Sequence, residues 1–168
     1  MIVGGSVSVP GDKSLTHRAL LLAGMAGGRS TIRGALTSFD AQASARVLRQ
    51  LGAKVSPLRH GATVTVQGAG RFSAPSAALH CGNSGTTARL LLGVLASHPF
   101  QARLTGDASL RRRPMRRVTE PLAIMGAAFH AGGNDGLPVT IRGGQLRPLR
   151  WEMPVSSAQI KSALLLAG

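Results

Sequence analysis

Three stretches of the chain share one order of polar and apolar positions: a short alternating run, a turn rich in small polar residues, and an apolar segment with the spacing of a buried helix. The first is Ser6-Val-Ser-Val-Pro-Gly-Asp-Lys-Ser, followed by Arg18-Ala-Leu-Leu-Leu-Ala. The second is Ala78-Leu-His-Cys-Gly-Asn-Ser-Gly-Thr-Thr, followed by Arg89-Leu-Leu-Leu-Gly-Val-Leu-Ala. The third is Trp151-Glu-Met-Pro-Val-Ser-Ser-Ala-Gln, followed by Lys161-Ser-Ala-Leu-Leu-Leu-Ala. Each predicts strand, tight turn, helix, with leucine triplets at 20–22, 90–92 and 164–166.

The segments after the first two helices also correspond. Residues 30–36 and 101–107 are β-type runs ending at Gly or Asp, and a second helix is expected over 40–51 and over 114–125, with Pro114 tolerated in the first turn. Gly52-Ala-Lys-Val and Gly126-Ala-Ala-Phe each suggest a glycine C-cap feeding a strand. Val64-Thr-Val-Gln-Gly and Val139-Thr-Ile-Arg-Gly close the units, with hairpin turns expected at 59–62 and 132–136. The unit is thus β-α-β-α-β-β, repeated at an interval of about 70 to 75 residues. Two copies are complete and a third breaks off inside its first helix, so the expectation is a fragment of a longer protein. The alternative is that the terminal helix packs on the first unit and closes a small domain.

Composition narrows the function. Of 168 residues 43% are hydrophobic, enough for one core and part of a second, but only 3% are aromatic, so stacking platforms for single-stranded nucleic acid are scarce. Twenty Lys and Arg face six Asp and Glu, a net charge of +14, which predicts anionic partners. The six acids (Asp12, Asp40, Asp107, Glu120, Asp135 and Glu152) are scattered singly, so the spacing offers no carboxylate pair for acid–base work. The single cysteine, Cys81, fits a reducing compartment, and the five histidines lack metal-ligand spacing, so no metal is expected. No apolar run approaches the roughly 18 residues of a membrane span, and the first residues lack the features of a signal peptide. The expected location is cytoplasmic.

The candidate chemistry lies where strand turns into helix, because helix N-termini present free N–H groups and the positive end of the dipole to anions. Pro10-Gly-Asp-Lys-Ser-Leu-Thr-His-Arg18 places Lys13 and Arg18 at such an end, with Asp12 or Ser14 as cap; His17 alone reads as structural. Gly82-Asn-Ser-Gly-Thr-Thr-Ala-Arg89 can form a backbone nest. Gly106-Asp-Ala-Ser-Leu-Arg-Arg-Arg-Pro-Met-Arg-Arg117 carries five arginines in seven residues, suited to gripping phosphate or carboxylate. Ser156-Ser-Ala-Gln-Ile-Lys-Ser162 brings hydroxyls and an amide to a third helix start. Each string alone also has an ordinary reading, a capped helix beside solvated charges.

Together, in this order, the strings PGDKSLTHR, GNSGTTARLL, GDASLRRRPM and SSAQIKSALLLAG resemble the signature segments of the 5-enolpyruvylshikimate-3-phosphate synthase family over essentially the whole chain. The resemblance implies an α/β (α+β) fold of repeated β-α-β-α-β-β units around a pseudo-threefold axis, the inside-out α/β barrel of the enolpyruvyl transferases, here truncated. It implies a transferase of the shikimate route to chorismate and aromatic amino acids. Such an enzyme moves the enolpyruvyl group of phosphoenolpyruvate to the 5-hydroxyl of shikimate 3-phosphate and releases phosphate, with no metal or organic cofactor. Carried over by motif, Lys13 is the catalytic candidate and contacts both substrates, and Ser14, Arg18 and Ser157 hold shikimate 3-phosphate. Gly85 and Arg113 meet phosphoenolpyruvate, and Gln159 bridges the two ligands.

Residues 1–11 are then an opening strand, and 12–168 an incomplete substrate-binding domain of two full units and the start of a third. The second catalytic domain, which carries the family's proton-transfer acids, is absent, so little turnover is expected from the chain alone, and a complementary C-terminal half is a candidate partner. Glyphosate is a candidate ligand; Ala158 stands where many members have Ser, and Arg111, Arg112, Arg116 and Arg117 exceed the family's usual charge. Two other readings compete: an enzyme similar to the carboxyvinyltransferase acting on UDP-N-acetylglucosamine, against which the PGDKS and RPM strings count, and a basic nucleic-acid-binding module suggested by charge alone. No specific nucleic acid and no membrane partner is expected.

Overall fold

The computed structural model describes residues 4–7, 9–131 and 135–168. Asp12 starts α1 (Lys13–Met25) by accepting the Leu15 N–H at 2.7 Å. β1 (Arg29–Ile32) follows, and then α2 (Phe39–Gln50), capped by the Ser38 hydroxyl. β2 (Lys54–Val55) and β3 (Val64–Gln67) complete the first unit. The second holds β4 (Leu79–His80), α3 (Gly85–Ala96), β5 (Gln101–Thr105), α4 (Ala108–Arg111), α5 (Arg116–Met125), β6 (Ala128–Ala131) and β7 (Val139–Arg142). α6 (Ala158–Leu165) ends the described chain.

The repeat is visible in the hydrogen-bond ladders. The first sheet runs β1-β3-β2 and the second β4-β5-β7-β6; without β4 the two orders coincide, one unit apart. In each, the last strand of the unit pairs antiparallel with both neighbours, Ser30 opposite Val66 and Ala102 opposite Ile141. The buried faces alternate as a half-covered sheet requires, Val64 and Val66 in the first, Ala102, Leu104, Val139 and Ile141 in the second. Gly52 and Gly126 have φ of 104° and 118° and end α2 and α5 in the left-handed conformation that glycine adopts without strain.

The helices pack over the sheets, and α3 is the pillar. Ten of its twelve residues are buried, including Leu90, Leu91, Leu92 and Leu95, because α1, α2, α5, α6 and the second sheet surround it. α6 packs mainly on α3 and α5 of the second unit, and Arg18 of α1 also reaches it. That approach depends on Gly93, where a Cβ would overlap the Ala163 backbone carbonyl.

Three expectations change. Among the described residues 4–7 and 9–12 there is no strand, and Val7 and Val9 are 88% and 80% exposed. β4 exists because Leu79 pairs with Leu104 on β5; among the described residues Val7 and Val9 of the first unit have no such ladder partner, and a strand needs one. Residues 151–153 form no strand for the same reason. The second helix of the second unit starts at Arg116 and not at Pro114, because Asp107 caps the short α4 first; Pro121 lies inside α5. The hairpin expected at 132–136 falls mostly outside the described residues.

Candidate functional site

Each of the three turns becomes a capped helix start. Asp12 serves α1, the Ser84 hydroxyl accepts the Thr87 N–H at 3.1 Å to open α3, and the Ser157 hydroxyl accepts the Ile160 N–H at 3.4 Å to open α6. Gly82, at φ 61°, lets the chain reverse just before Ser84.

One cluster forms where α3 and α6 begin. The Gln159 side-chain amide donates to Thr86 Oγ1 at 2.9 Å, and its Oε1 accepts from Arg89 Nη1 at 3.1 Å. Arg89 Nη2 reaches on to the Pro114 carbonyl at 3.0 Å. A Cβ on Gly85 would stand 2.8 Å from Arg89 Nη1 and 3.4 Å from Arg113 Nη1, so the bare glycine backbone lies beside two guanidiniums. Arg113 in turn donates to Asn83 Oδ1 and, at 3.4 Å, to Ser109 Oγ. Asn83 donates to Asp107 Oδ2 at 2.7 Å. Asp107 is held below the usual carboxylate range first by the Leu110 amide it accepts and then by Asn83.

Arg18 ties α1 to the first turn of α6. It donates to Ser162 Oγ from Nε at 3.1 Å and from Nη2 at 2.8 Å, to the Ala158 carbonyl at 3.4 Å, and to the Ser14 carbonyl at 3.1 Å. Lys13, half exposed, is ion-paired with Asp40 at the start of α2, and the Asp40 carbonyl accepts from Thr87 Oγ1 at 3.4 Å. Ser157 lines a cavity of about 270 Å³ with Arg89, Pro114, Arg117, Gln159 and Ile160. Thus Gly85, Arg113 and Gln159 meet through Arg89, Arg18 joins the Ser14 carbonyl to α6, and among the described residues Lys13 connects to α3 through Asp40. A concavity of about 750 Å³ between Arg29, Arg49 and Lys54 on the first sheet contains none of the seven.

Beneath these ends runs a buried polar chain. His17 Nδ1 lies 2.8 Å from Ser44 Oγ, Ser44 Oγ 2.8 Å from Thr87 Oγ1, and Thr87 Oγ1 2.8 Å from Ser84 Oγ, joining α1, α2 and the cap of α3. His17 is fully buried, and burial lowers its pKa to about 4, against the opposing pull of Asp40. It is therefore neutral at ordinary pH and structural, as its isolation in the sequence suggested.

The electrostatics favour anions. Arg89 is pushed below its ordinary pKa by burial and then by Arg113 and Arg117, and its own hydrogen bonds go to neutral acceptors. Guanidiniums gathered at helix N-termini with no carboxylate between them stabilise a bound phosphate or carboxylate. Sequence reasoning missed Arg89 as the centre of the cluster, Thr86 as the partner of Gln159, Ser162 as the acceptor for Arg18, and Asp40 as the counter-ion of Lys13. Only Asp40 carried a local signal, an acid in the first turn after Ser38. Among the described residues no group of three or more His, Cys, Asp or Glu side chains gathers, and no helix is long and apolar enough to cross a membrane.

Comparison with known proteins gives the family and the fold. Residues 2–168 match the family model described as EPSP synthase (3-phosphoshikimate 1-carboxyvinyltransferase). The 3-phosphoshikimate 1-carboxyvinyltransferase of Granulibacter bethesdensis is 52% identical over 164 residues, 96% of this chain and 36% of that protein. The one from Geobacillus kaustophilus is 52% identical over 168 residues, 98% of this chain and 39% of that protein. The solved EPSP synthase of Acinetobacter baumannii superposes with a TM-score of 0.92 at 42% identity, covering 98% of this chain and 38% of that one. The chain thus has the α/β fold of these transferases as a partial domain, and it spans under two fifths of the length of the relatives it matches.

Proposed function

Because the chain belongs to the EPSP synthase family, we propose that it is the N-terminal portion of a cytoplasmic enzyme that moves the enolpyruvyl group of phosphoenolpyruvate to the 5-hydroxyl of shikimate 3-phosphate, releasing phosphate. The observation that carries this is the contiguous Gly85–Arg89–Arg113–Gln159 cluster at the starts of α3 and α6. On this reading Gly85 and Arg113 receive phosphoenolpyruvate, Ser14, Arg18 and Ser157 hold shikimate 3-phosphate, and Gln159 lies between the two. Lys13 exchanges Asp40 for the substrate anions, which lie at the positive ends of the helices. Residues 12–168 form part of the substrate-binding domain, and residues 1–11 its opening segment.

Proton transfer falls to groups outside this chain. Near the cluster Asp12 and Asp107 are engaged as caps and Asp40 by Lys13; Glu120 pairs with Arg116, and Asp135 accepts the Arg116 N–H. The test is a steady-state assay of the purified chain with both substrates, alone and with the C-terminal remainder of a relative added. Negligible turnover alone and a clear rate after addition are expected. A rate near that of an intact relative from the chain alone, or none after addition of a remainder that binds it, overturns the proposal.

A further inference from the structure

The five arginines between 111 and 117 have different surroundings. Arg113 is engaged by Asn83 and Ser109 beside Gly85. Arg116 pairs with Glu120 at 3.6 Å, and its backbone N–H donates to Asp135 at 2.6 Å. Arg111 and Arg112 are exposed at the end of α4. Arg117, on the first turn of α5, lines the 270 Å³ cavity in company with Arg89, Ser157 and Gln159. The ion pairs among the described residues are Lys13–Asp40 and Arg116–Glu120, so neither guanidinium at this cavity meets a carboxylate. Two uncompensated guanidiniums facing one polar hollow repel each other until an anion enters; burial and then Arg113 hold the Arg89 pKa down, and Arg117 adds to that. Ser157 and Gln159 add a hydroxyl and an amide, the neutral hydrogen-bonding complement of a phosphate monoester.

We propose that Arg117 is a further substrate-binding residue, which together with Arg89, Ser157 and Gln159 grips the phosphate group of a phosphorylated substrate. This rests on the function proposed above, in which that substrate is shikimate 3-phosphate. Arg117 is exposed and sits on the helix surface, so its replacement leaves the core untouched. The test is calorimetric titration of the chain with shikimate 3-phosphate and, separately, inorganic phosphate, for the unaltered protein, Arg117→Gln and Arg112→Gln. The last removes the same charge from outside the cavity. Arg117→Gln should weaken binding of both probes by about 10- to 100-fold, the worth of a charge-assisted hydrogen bond, while Arg112→Gln changes either by less than about 2-fold, as a screened surface charge does. Equal effects of the two substitutions overturn the role of Arg117. If the unaltered chain binds phosphate but not shikimate 3-phosphate, the reading of the function fails, yet loss of phosphate affinity in Arg117→Gln still supports the arginine's role. Binding of neither probe overturns both.

Discussion

Acid should loosen this protein through one residue. The His17 imidazole is fully buried, and burial lowers its pKa from 6.5 to about 4. Its Nε2 has no hydrogen-bond partner among the described residues, so a proton added there would be unsatisfied. The unfolded chain takes up that proton as pH falls through 6.5, while the folded chain declines it until about pH 4. Stability is therefore lost as pH falls across this window, by about 2 kcal/mol at pH 5 and about 3 kcal/mol at pH 4. His17→Asn keeps an amide within reach of Ser44 and has nothing to titrate. Urea unfolding at pH 7 and pH 5, followed by circular dichroism, gives the loss for each protein. Contributions common to the two proteins cancel in the difference. The unaltered chain should lose about 2 kcal/mol more than His17→Asn; losses equal within about 0.5 kcal/mol would refute a neutral, buried His17.

Gly93→Ala forces a methyl into the Ala163 carbonyl and should destabilise the chain by about 1–3 kcal/mol, as overpacking does; thermal melts should show it, with faster proteolysis in residues 143–157 as α6 loses its seat. Burial raises the Cys81 thiol to about 12, so a disulfide-exchange reagent should leave it unmodified in the folded chain and label it once urea is added. Duplex DNA should bind only weakly and lose its affinity steeply between low and moderate salt, as bare charge predicts; tight binding that survives moderate salt would revive a nucleic-acid role.

Much of the fold was legible because it rests on local rules. The leucine triplets mark α1, α3 and α6, Asp12, Ser84 and Ser157 are caps of ordinary chemistry, and Gly52 and Gly126 end helices where only glycine is comfortable. The strands expected before α1 and at 151–153 have the right alternation but no ladder partner among the described residues, and alternation says nothing about whether one exists. α4 hid inside an arginine-rich string whose charge drew attention away from the Asp107 cap. In the site, the motif residues Gly85, Arg113 and Gln159 were readable, but the Arg89 brace joins residues 70 and 25 positions apart, and the His17–Ser44–Thr87 chain spans 27 and 43. Such pairings follow from how α1, α2, α3 and α6 pack, which no short window of sequence encodes.

Amide chemical-shift mapping by NMR, with shikimate 3-phosphate titrated into the isotopically labelled chain, tests most directly whether separate helix starts serve one anionic ligand. The largest shifts should fall together at residues 13–18, 84–89 and 157–162, with a single shared affinity. Shifts confined to the Arg29, Arg49 and Lys54 face of the first sheet, or different affinities at the different helix starts, would contradict a common site.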